Sequence, residues 1–115
     1  MVKVTFMGAG STVFAKNVLG DTMLSPAFHD AEIALYDIDA DRLEESYLLI
    51  TTLNKNINEG RATVSKYLGV ENRKDALRGA KFVVNAIQVG LYDPCTIIDF
   101  EIPKKYGLRQ TIGDT

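Results

Sequence analysis

Apolar positions along the chain follow two alternating patterns, one typical of buried strands and one typical of helices. Short runs rich in β-branched and aromatic residues end at glycine or polar residues, and they predict four strands: 2–7, 31–36, 63–68 and 81–86. Each strand is followed by a segment with helical spacing or helix-capping signals. The predicted order is therefore βαβαβαβα.

The first two helices have the clearest signals. One is predicted over 12–24, where apolar residues recur at helical spacing and stop before Pro26. The next begins at Asp39, a favoured N-cap residue, and stops at Gly60, which suits the residue beyond a helix end. Five apolar residues form its predicted inward stripe: Leu43, Tyr47, Ile50, Leu53 and Ile57.

The last two helices are predicted from capping signals. Asn72, with Asp75 three residues later, resembles the capping signal of a short helix. The Asp93-Pro94 pair places an N-cap residue before a proline at the first helical position, which predicts a fourth helix. Pro103 is expected to break or kink this helix, and Gly107 to end the segment after the break.

This alternation predicts an α/β fold with a parallel sheet and right-handed crossovers. We expect a Rossmann-type doubly wound sheet, truncated at about four strands. Residues 1–115 are predicted to form one domain, an incomplete N-terminal dinucleotide-binding domain that belongs to something longer.

Composition narrows the class of protein. A formal net charge of −2 argues against a nucleic-acid-binding surface, which usually needs a basic face. No apolar run approaches the ~20 residues of a membrane span, and the N-terminus lacks the layout of a signal peptide. The single cysteine cannot form an internal disulfide, and no Cys/His cluster suggests zinc. We expect a soluble cytoplasmic protein.

The turn after the first strand carries the strongest chemical signal: Gly8, Ala9, Gly10, Ser11, Thr12 and Val13. Gly8 would allow a tight turn, and Gly10 would let a pyrophosphate approach the backbone. The amides of Ser11 and Thr12, with the helix dipole, would hold its charge. We therefore predict that residues 8–12 bind a dinucleotide, although any strand-to-helix turn favours glycine. Val13 replaces the usual third glycine, which predicts looser packing of the helix on the strand.

Asp37 ends the second predicted strand, close to the spacing of about 20 residues expected for the acid that binds the adenosine ribose. A carboxylate there accepts hydrogen bonds from ribose hydroxyls and repels a 2′-phosphate, so it favours NAD over NADP. Asp39 is the rival, assigned here to helix capping. Arg42 could weaken the exclusion of NADP, but a solvated helix residue is the simpler interpretation.

Asn85 and Gln88 follow the fourth strand, at the edge where ligands of open α/β sheets bind. They could contact the nicotinamide ribose or a substrate hydroxyl, or they could be ordinary polar loop residues. Cys95 has no nearby base in the sequence, which disfavours nucleophilic catalysis. His29 is expected to be structural or solvated.

Four segments, 4–14, 35–39, 77–90 and 105–115, together resemble the N-terminal portion of glycoside hydrolase family 4, and most closely its α-galactosidase branch. This resemblance implies bound NAD and a divalent metal, usually Mn²⁺. It also implies a mechanism in which a hydride leaves C3 of the sugar and a tyrosine removes the C2 proton. Elimination at C1, addition of water and return of the hydride then complete hydrolysis. The implied substrate is an α-galactoside.

The resemblance also implies roles for particular residues. Gly8, Gly10, Ser11 and Asp37 match NAD ligands, and Asn85 matches the nicotinamide side. Asp114 matches the acid that makes the catalytic tyrosine a stronger base. The metal ligands and that tyrosine are expected beyond residue 115, so no metal ligand is assigned within the chain.

Cys95 and Gln88 are assigned to the substrate side of the site. Members of the family that cleave 6-phosphoglycosides often have an arginine close to the position of Cys95. Residues 93–96 here contain no basic residue, which suggests an unphosphorylated sugar. The open edge of a truncated parallel sheet leads us to expect a homo-oligomer.

Two other functions are compatible with the sequence. One is a malate- or lactate-dehydrogenase-like oxidoreductase, although no arginine lies between Asn85 and Lys105, where such enzymes usually bind a carboxylate. The other is a non-catalytic nucleotide-binding module, which the short length would suit.

Overall fold

The computed structural model describes residues 1–110, and four strands alternate there with helices in the predicted order. The strands are β1 (Lys3–Met7), β2 (Glu32–Asp37), β3 (Thr63–Leu68) and β4 (Phe82–Asn85). The α-helices are α1 (Thr12–Leu24), α2 (Ala40–Asn58), α3 (Arg73–Leu77) and α4 (Ile97–Lys105). Short 3₁₀ turns occupy Pro26–Phe28 and Val70–Asn72, and a π-helical turn occupies Leu91–Thr96. Every strand agrees with its predicted bounds to within one residue at each end.

All strand pairs are parallel, and the strand order is β3-β2-β1-β4. The chain therefore builds outward from β1 in one direction and then crosses to its other side with β4. Ligands of open α/β sheets bind where the order reverses in this way, outside the carboxyl ends of the strands. Met7 is paired with both Tyr36 and Asn85, so the carboxyl ends of three strands meet at one edge.

Helices cover both faces of the sheet, as the α/β prediction requires. On one face α1 and α2 pack against alternate residues of the central strands, including Phe6 and Leu35, which are fully buried. On the other face Ala76 of α3 packs against Met7 and Tyr36. The central strand β1 is buried along its whole length because it is covered on both sides. The predicted doubly wound sheet is confirmed.

The buried face of α2 differs from the predicted apolar stripe. Its fully or nearly buried residues are Leu43, Ser46, Ile50, Asn54 and Asn58, whereas Ile57 of the predicted stripe is exposed. The polar members are buried because they satisfy backbone groups of neighbouring segments. Asn54 donates to the carbonyl of Ala62 at 2.7 Å and accepts from its amide at 3.1 Å. Apolar spacing alone could not identify these positions.

Removing one of these polar anchors is expected to destabilise the sheet. Asn54→Ala leaves both backbone groups of Ala62 without their partner, and one unsatisfied buried group costs about 1–3 kcal/mol. We expect Asn54→Ala to lower the free energy of unfolding in urea by about 2 kcal/mol. Asn56→Ala, on the exposed side of the same helix, is the matched control and should leave it nearly unchanged. Equal effects of the two substitutions would contradict this role.

The capping predictions have mixed outcomes. The carboxylate of Asp39 accepts a hydrogen bond from the amide of Arg42 at 3.1 Å, so the N-cap of α2 is confirmed. Asn72 stands at the N-cap position of α3 but makes no capping bond. Its side chain donates instead to the carbonyl of Leu68 at 2.7 Å, which closes the loop after β3. The predicted capping role of Asn72 is therefore wrong.

The last helix differs most from its prediction. The π-helical turn contains Pro94, and α4 begins only at Ile97. Of the predicted break or kink at Pro103, the break is wrong, because α4 continues through this residue to Lys105. The amide of Leu108 donates to the carbonyl of Pro103 at 3.0 Å. Gly107, with a positive φ, ends the helix as predicted.

Candidate functional site

A cleft of about 540 Å³ lies at the carboxyl edge of the sheet, where the strand order reverses. Its walls come from the turn after β1, the end of β2 with the start of α2, the loop after β3 and the segment after β4. The lining residues are Gly8, Gly10, Ser11, Tyr36, Asp37, Ile38, Asp39, Arg42, Val70, Arg73, Ala86, Ile87, Gln88 and Leu91. This is the place in the fold where a ligand was predicted.

The turn after β1 is tight at Gly8, as predicted. The amides of Gly8 and Ala9 both donate to the carbonyl of Tyr36 at 2.9 Å, which fixes the turn to the end of β2. Gly8 has a φ of +87°, and a Cβ there would stand 2.6 Å from the carbonyl oxygen of Ala86. Only glycine therefore fits between β1 and the end of β4 at this position.

Gly10 lies against a carboxylate. Its amide donates to Oδ2 of Asp37 at 2.8 Å, and a Cβ at Gly10 would stand 2.7 Å from the same oxygen. The other oxygen, Oδ1, accepts from the amide of Asp39 at 2.9 Å. From the sequence, the role predicted for this glycine was to let a ligand approach the backbone. In the structure, the carboxylate of Asp37 already leaves no room for a side chain at Gly10.

The start of α1 presents free backbone donors. No partner within residues 1–110 accepts a hydrogen bond from the amides of Thr12, Val13 or Phe14, the first three of the helix. Ser11, in contrast, donates its amide to the carbonyl of Gly8 at 3.1 Å. Of the two amides predicted to hold an anion, that of Thr12 is free and that of Ser11 is already engaged in the turn.

Val13, which stands in place of the third glycine, lies on the exposed side of α1. The residue is 69% exposed. Two small residues near it in the sequence, Ala9 and Ala15, are buried in the main core cluster. The looser packing of the helix on the strand that Val13 suggests stays a prediction.

The cleft also has basic walls. Arg42 reaches it from α2, with Nε 4.0 Å from Oδ2 of Asp39, and its side chain is two-thirds exposed. Arg73, the first residue of α3, also lines the cleft. From the sequence, Arg42 was expected to be a solvated residue and Arg73 was missed. The position of Arg73 shortly after the carboxyl end of β3 is the sequence feature that could have indicated its place in the cleft.

The structure brings only some of the predicted residues to the cleft. Gln88 lines it, and its amide nitrogen donates to Oγ1 of Thr96 at 2.9 Å. Asn85 is absent from the lining, because its Oδ1 turns back to accept from the amide of Ile87 at 3.3 Å. Ala9, which is fully buried beneath the turn, and Thr12 are also absent from the lining.

Cys95 and His29 lie outside the lining of the cleft. Cys95 is half-buried, and its side chain packs against Gly90 rather than into the cleft. His29 uses its backbone carbonyl to accept from the side chain of Asn58 at 2.8 Å, which agrees with a structural role. Asp114 lies outside the described residues.

Neither a metal site nor a membrane span occurs in the described part of the chain. Over residues 1–110 no three His, Cys, Asp or Glu side chains lie close enough together to hold a metal ion. The prediction that metal ligands lie beyond residue 115 stays a prediction. None of the helices in the same range is both long and apolar enough to cross a membrane.

Comparisons with protein families and with individual known proteins all point to glycosidases. The profile of the family 4 glycosyl hydrolases matches residues 3–115. The whole chain aligns with 26% of an alpha-galactosidase from Bacillus subtilis (strain 168) at 57% identity over 115 residues. An alpha-galactosidase from Rhizobium meliloti (strain 1021) is 31% identical over 113 residues, which are 98% of this chain and 22% of that protein.

A relative with a different activity in its name also matches. An alpha-glucosidase from Erwinia rhapontici is 32% identical over 115 aligned positions, and the alignment covers 97% of this chain and 24% of that protein. The chain thus spans about a quarter of the length of the curated relatives it matches.

Proposed function

Because the chain belongs to family 4 of the glycosyl hydrolases, we propose that residues 1–115 form the NAD-binding part of an α-galactosidase. One observation carries the proposal. The cleft at the reversal of strand order is lined by a tight glycine turn and by a carboxylate at the end of β2, and the free amides at the start of α1 directly follow its lining residue Ser11. This combination suits the pyrophosphate and ribose of a dinucleotide.

The residues present fit such a group. The free amides at the start of α1, among them that of Thr12, would face an anionic phosphate, with the helix dipole adding to their positive potential. Asp37 accepts one backbone hydrogen bond at each oxygen, so each oxygen keeps a lone pair for a ribose hydroxyl. Asn85 and Gln88 would serve the nicotinamide and sugar side, at the end of β4.

The proposed chemistry divides between this chain and later residues. NAD, when bound, supplies the removal and return of a hydride at C3 of the sugar. The contribution of residues 1–115 is to bind and orient the dinucleotide, while Asp114 would strengthen a tyrosine base beyond the chain. Mn²⁺ ligands are likewise expected beyond residue 115.

We further propose that the protein is cytoplasmic. We also propose that it forms a homo-oligomer, since the β4 edge leaves apolar residues such as Phe82 and Val83 half-exposed.

An unphosphorylated α-galactoside is the proposed substrate. The names of two matched relatives support the galactoside, and a third relative is an alpha-glucosidase. The absence of a basic residue over 93–96, around Cys95, supports an uncharged sugar. This region follows the segment of Gln88 that lines the cleft.

Calorimetry with the two dinucleotides tests the binding site. We expect the chain to bind NAD and to bind NADP at least about tenfold more weakly, because the 2′-phosphate would meet the carboxylate of Asp37. Equal affinity for both would contradict the ribose assignment. Binding of neither dinucleotide to the folded chain would contradict the proposed site itself.

A chimera tests the activity. The chain replaces the matching segment of the Bacillus subtilis alpha-galactosidase, and hydrolysis of an aryl α-galactoside is measured with NAD and Mn²⁺. We expect turnover by the chimera and none by the isolated chain. Asp114→Ala in the chimera should slow turnover by about 100-fold, the lower range for a proton-transfer group. Hydrolysis by the isolated chain, or a folded NAD-binding chimera without turnover, would contradict the proposal.

A further inference from the structure

We propose that Asp37 is a positioning residue as well as a ribose ligand: its carboxylate sets the glycine turn in its binding conformation before any dinucleotide arrives. The inference rests on the proposed NAD site and adds a second role to one of its residues. It is carried by the hydrogen bonds of Asp37 and by the packing around Gly10.

Asp37 joins three segments that border the cleft. Oδ2 accepts from the amide of Gly10 at 2.8 Å, and Oδ1 accepts from the amide of Asp39 at 2.9 Å. The backbone carbonyl of the same residue accepts from the amide of Gly69 at 3.0 Å, in the loop after β3. Hydrogen bonds to a charged acceptor are stronger than neutral ones, so the carboxylate is a firm attachment for the turn.

Packing leaves the turn little freedom to move away. A Cβ at Gly10 would be 3.0 Å from Cβ of Arg42, so α2 lies directly behind the carboxylate contact. The preceding carbonyl, that of Ala9, accepts from the buried Oγ of Ser46 at 2.5 Å. Ser46 holds the turn from within the core, whereas Asp37 holds it from the cleft.

The position of the turn decides where the free amides of α1 stand. Gly10 is two residues before Thr12, the first residue of the helix, so holding the amide of Gly10 also fixes the start of α1. A site fixed before binding loses less conformational entropy when a ligand arrives. Loss of the Asp37 carboxylate should therefore weaken phosphate binding as well as ribose binding.

Amide hydrogen exchange tests the attachment without any ligand. We expect exchange at Gly10 to rise at least about tenfold in Asp37→Ala, which removes both acceptors. Asp37→Asn keeps one acceptor and should give an intermediate rate. Asp41→Ala, at an exposed carboxylate in the first turn of α2, is the control for charge and should change nothing. The same Gly10 rate in Asp37→Ala and Asp41→Ala would overturn the proposal.

A second measurement covers the case in which Asp37→Ala does not fold. In the unsubstituted chain, after correction for intrinsic rates, Gly10 should be at least about tenfold more protected than Thr12, whose amide has no partner in the described residues. Equal protection of the two amides would overturn the proposal.

A dinucleotide analogue separates the two roles. The analogue is NAD whose adenosine ribose lacks both hydroxyls. A residue that acts only through those hydroxyls would not change the affinity for this analogue. We expect Asp37→Ala to weaken binding of this analogue by at least about threefold and of NAD by at least about tenfold. A loss confined to NAD would overturn the positioning role. If the unsubstituted chain binds no dinucleotide, the proposed function fails. The hydrogen-exchange result still tests whether the carboxylate of Asp37 holds the amide of Gly10.

Discussion

Gly10→Val is expected to abolish NAD binding while the chain keeps its secondary structure. The new Cβ would stand 2.7 Å from Oδ2 of Asp37 and 3.0 Å from Cβ of Arg42. The carboxylate must then move off the amide of Gly10, which displaces the proposed ribose ligand and frees the turn. Losing this charge-assisted hydrogen bond together with the bonds to the ribose should weaken binding by more than about 100-fold. Calorimetry with NAD measures the loss.

Gly20→Val is the matched control, because it makes the same change ten positions along the chain. Gly20 lies within α1, and a Cβ there would meet nothing within 4 Å. This variant should bind NAD like the unsubstituted chain, and circular dichroism should be nearly the same for both variants. Undiminished NAD affinity in a folded Gly10→Val variant would contradict the assignment of the turn.

The strands could be predicted almost completely from the sequence. Short apolar or alternating runs bounded by glycine or polar residues located all four of them. The helical spacing over 12–24 likewise gave the bounds of α1. In β1 and β2 the local hydrophobic pattern and the tertiary burial agree, whereas β3 and β4 lie at the edges of the sheet and are partly exposed.

Prediction was weaker where burial depends on a particular hydrogen bond. Asn54 and Ser46 lie on the buried face of α2 because distant backbone carbonyls, those of Ala62 and Ala9, need donors there. No local pattern marks such a polar residue as buried. Pro103 was misjudged for a related reason, since its effect depends on how the last turn of α4 is bonded.

In the candidate site, too, the features set by strand order could be predicted, whereas those set by particular tertiary contacts could not. The spacing between the glycine turn and Asp37 placed both at one cleft, because parallel strands bring their carboxyl ends together. The bond between Gly10 and Asp37 was not predicted, since it depends on the packing of α2 behind the turn. Arg73 was missed because a single arginine after a strand has no distinctive spacing.

Gly8→Ala is expected to be strongly destabilising for a change that adds a single methyl group. Gly8 has a φ of +87°, a conformation that strains any other residue, and its Cβ would stand 2.6 Å from the backbone oxygen of Ala86. A backbone carbonyl cannot rotate away as a flexible side chain can. Ala86 donates its amide to the carbonyl of Met7 at 2.8 Å, so relief of the contact would pull apart the end of the β1–β4 pair. We expect a loss of about 4 kcal/mol in the free energy of unfolding.

Gly79→Ala separates the two contributions to this loss. Gly79 also has a positive φ, +73°, but a Cβ there would meet nothing within 4 Å. It therefore reports the conformational strain alone, about 1 kcal/mol, and the remaining 3 kcal/mol or so measures the contact with Ala86. Urea unfolding of both variants gives the comparison. Equal losses in the two variants would mean that β4 does not press against the turn, and the close packing of Gly8 under the cleft would be wrong.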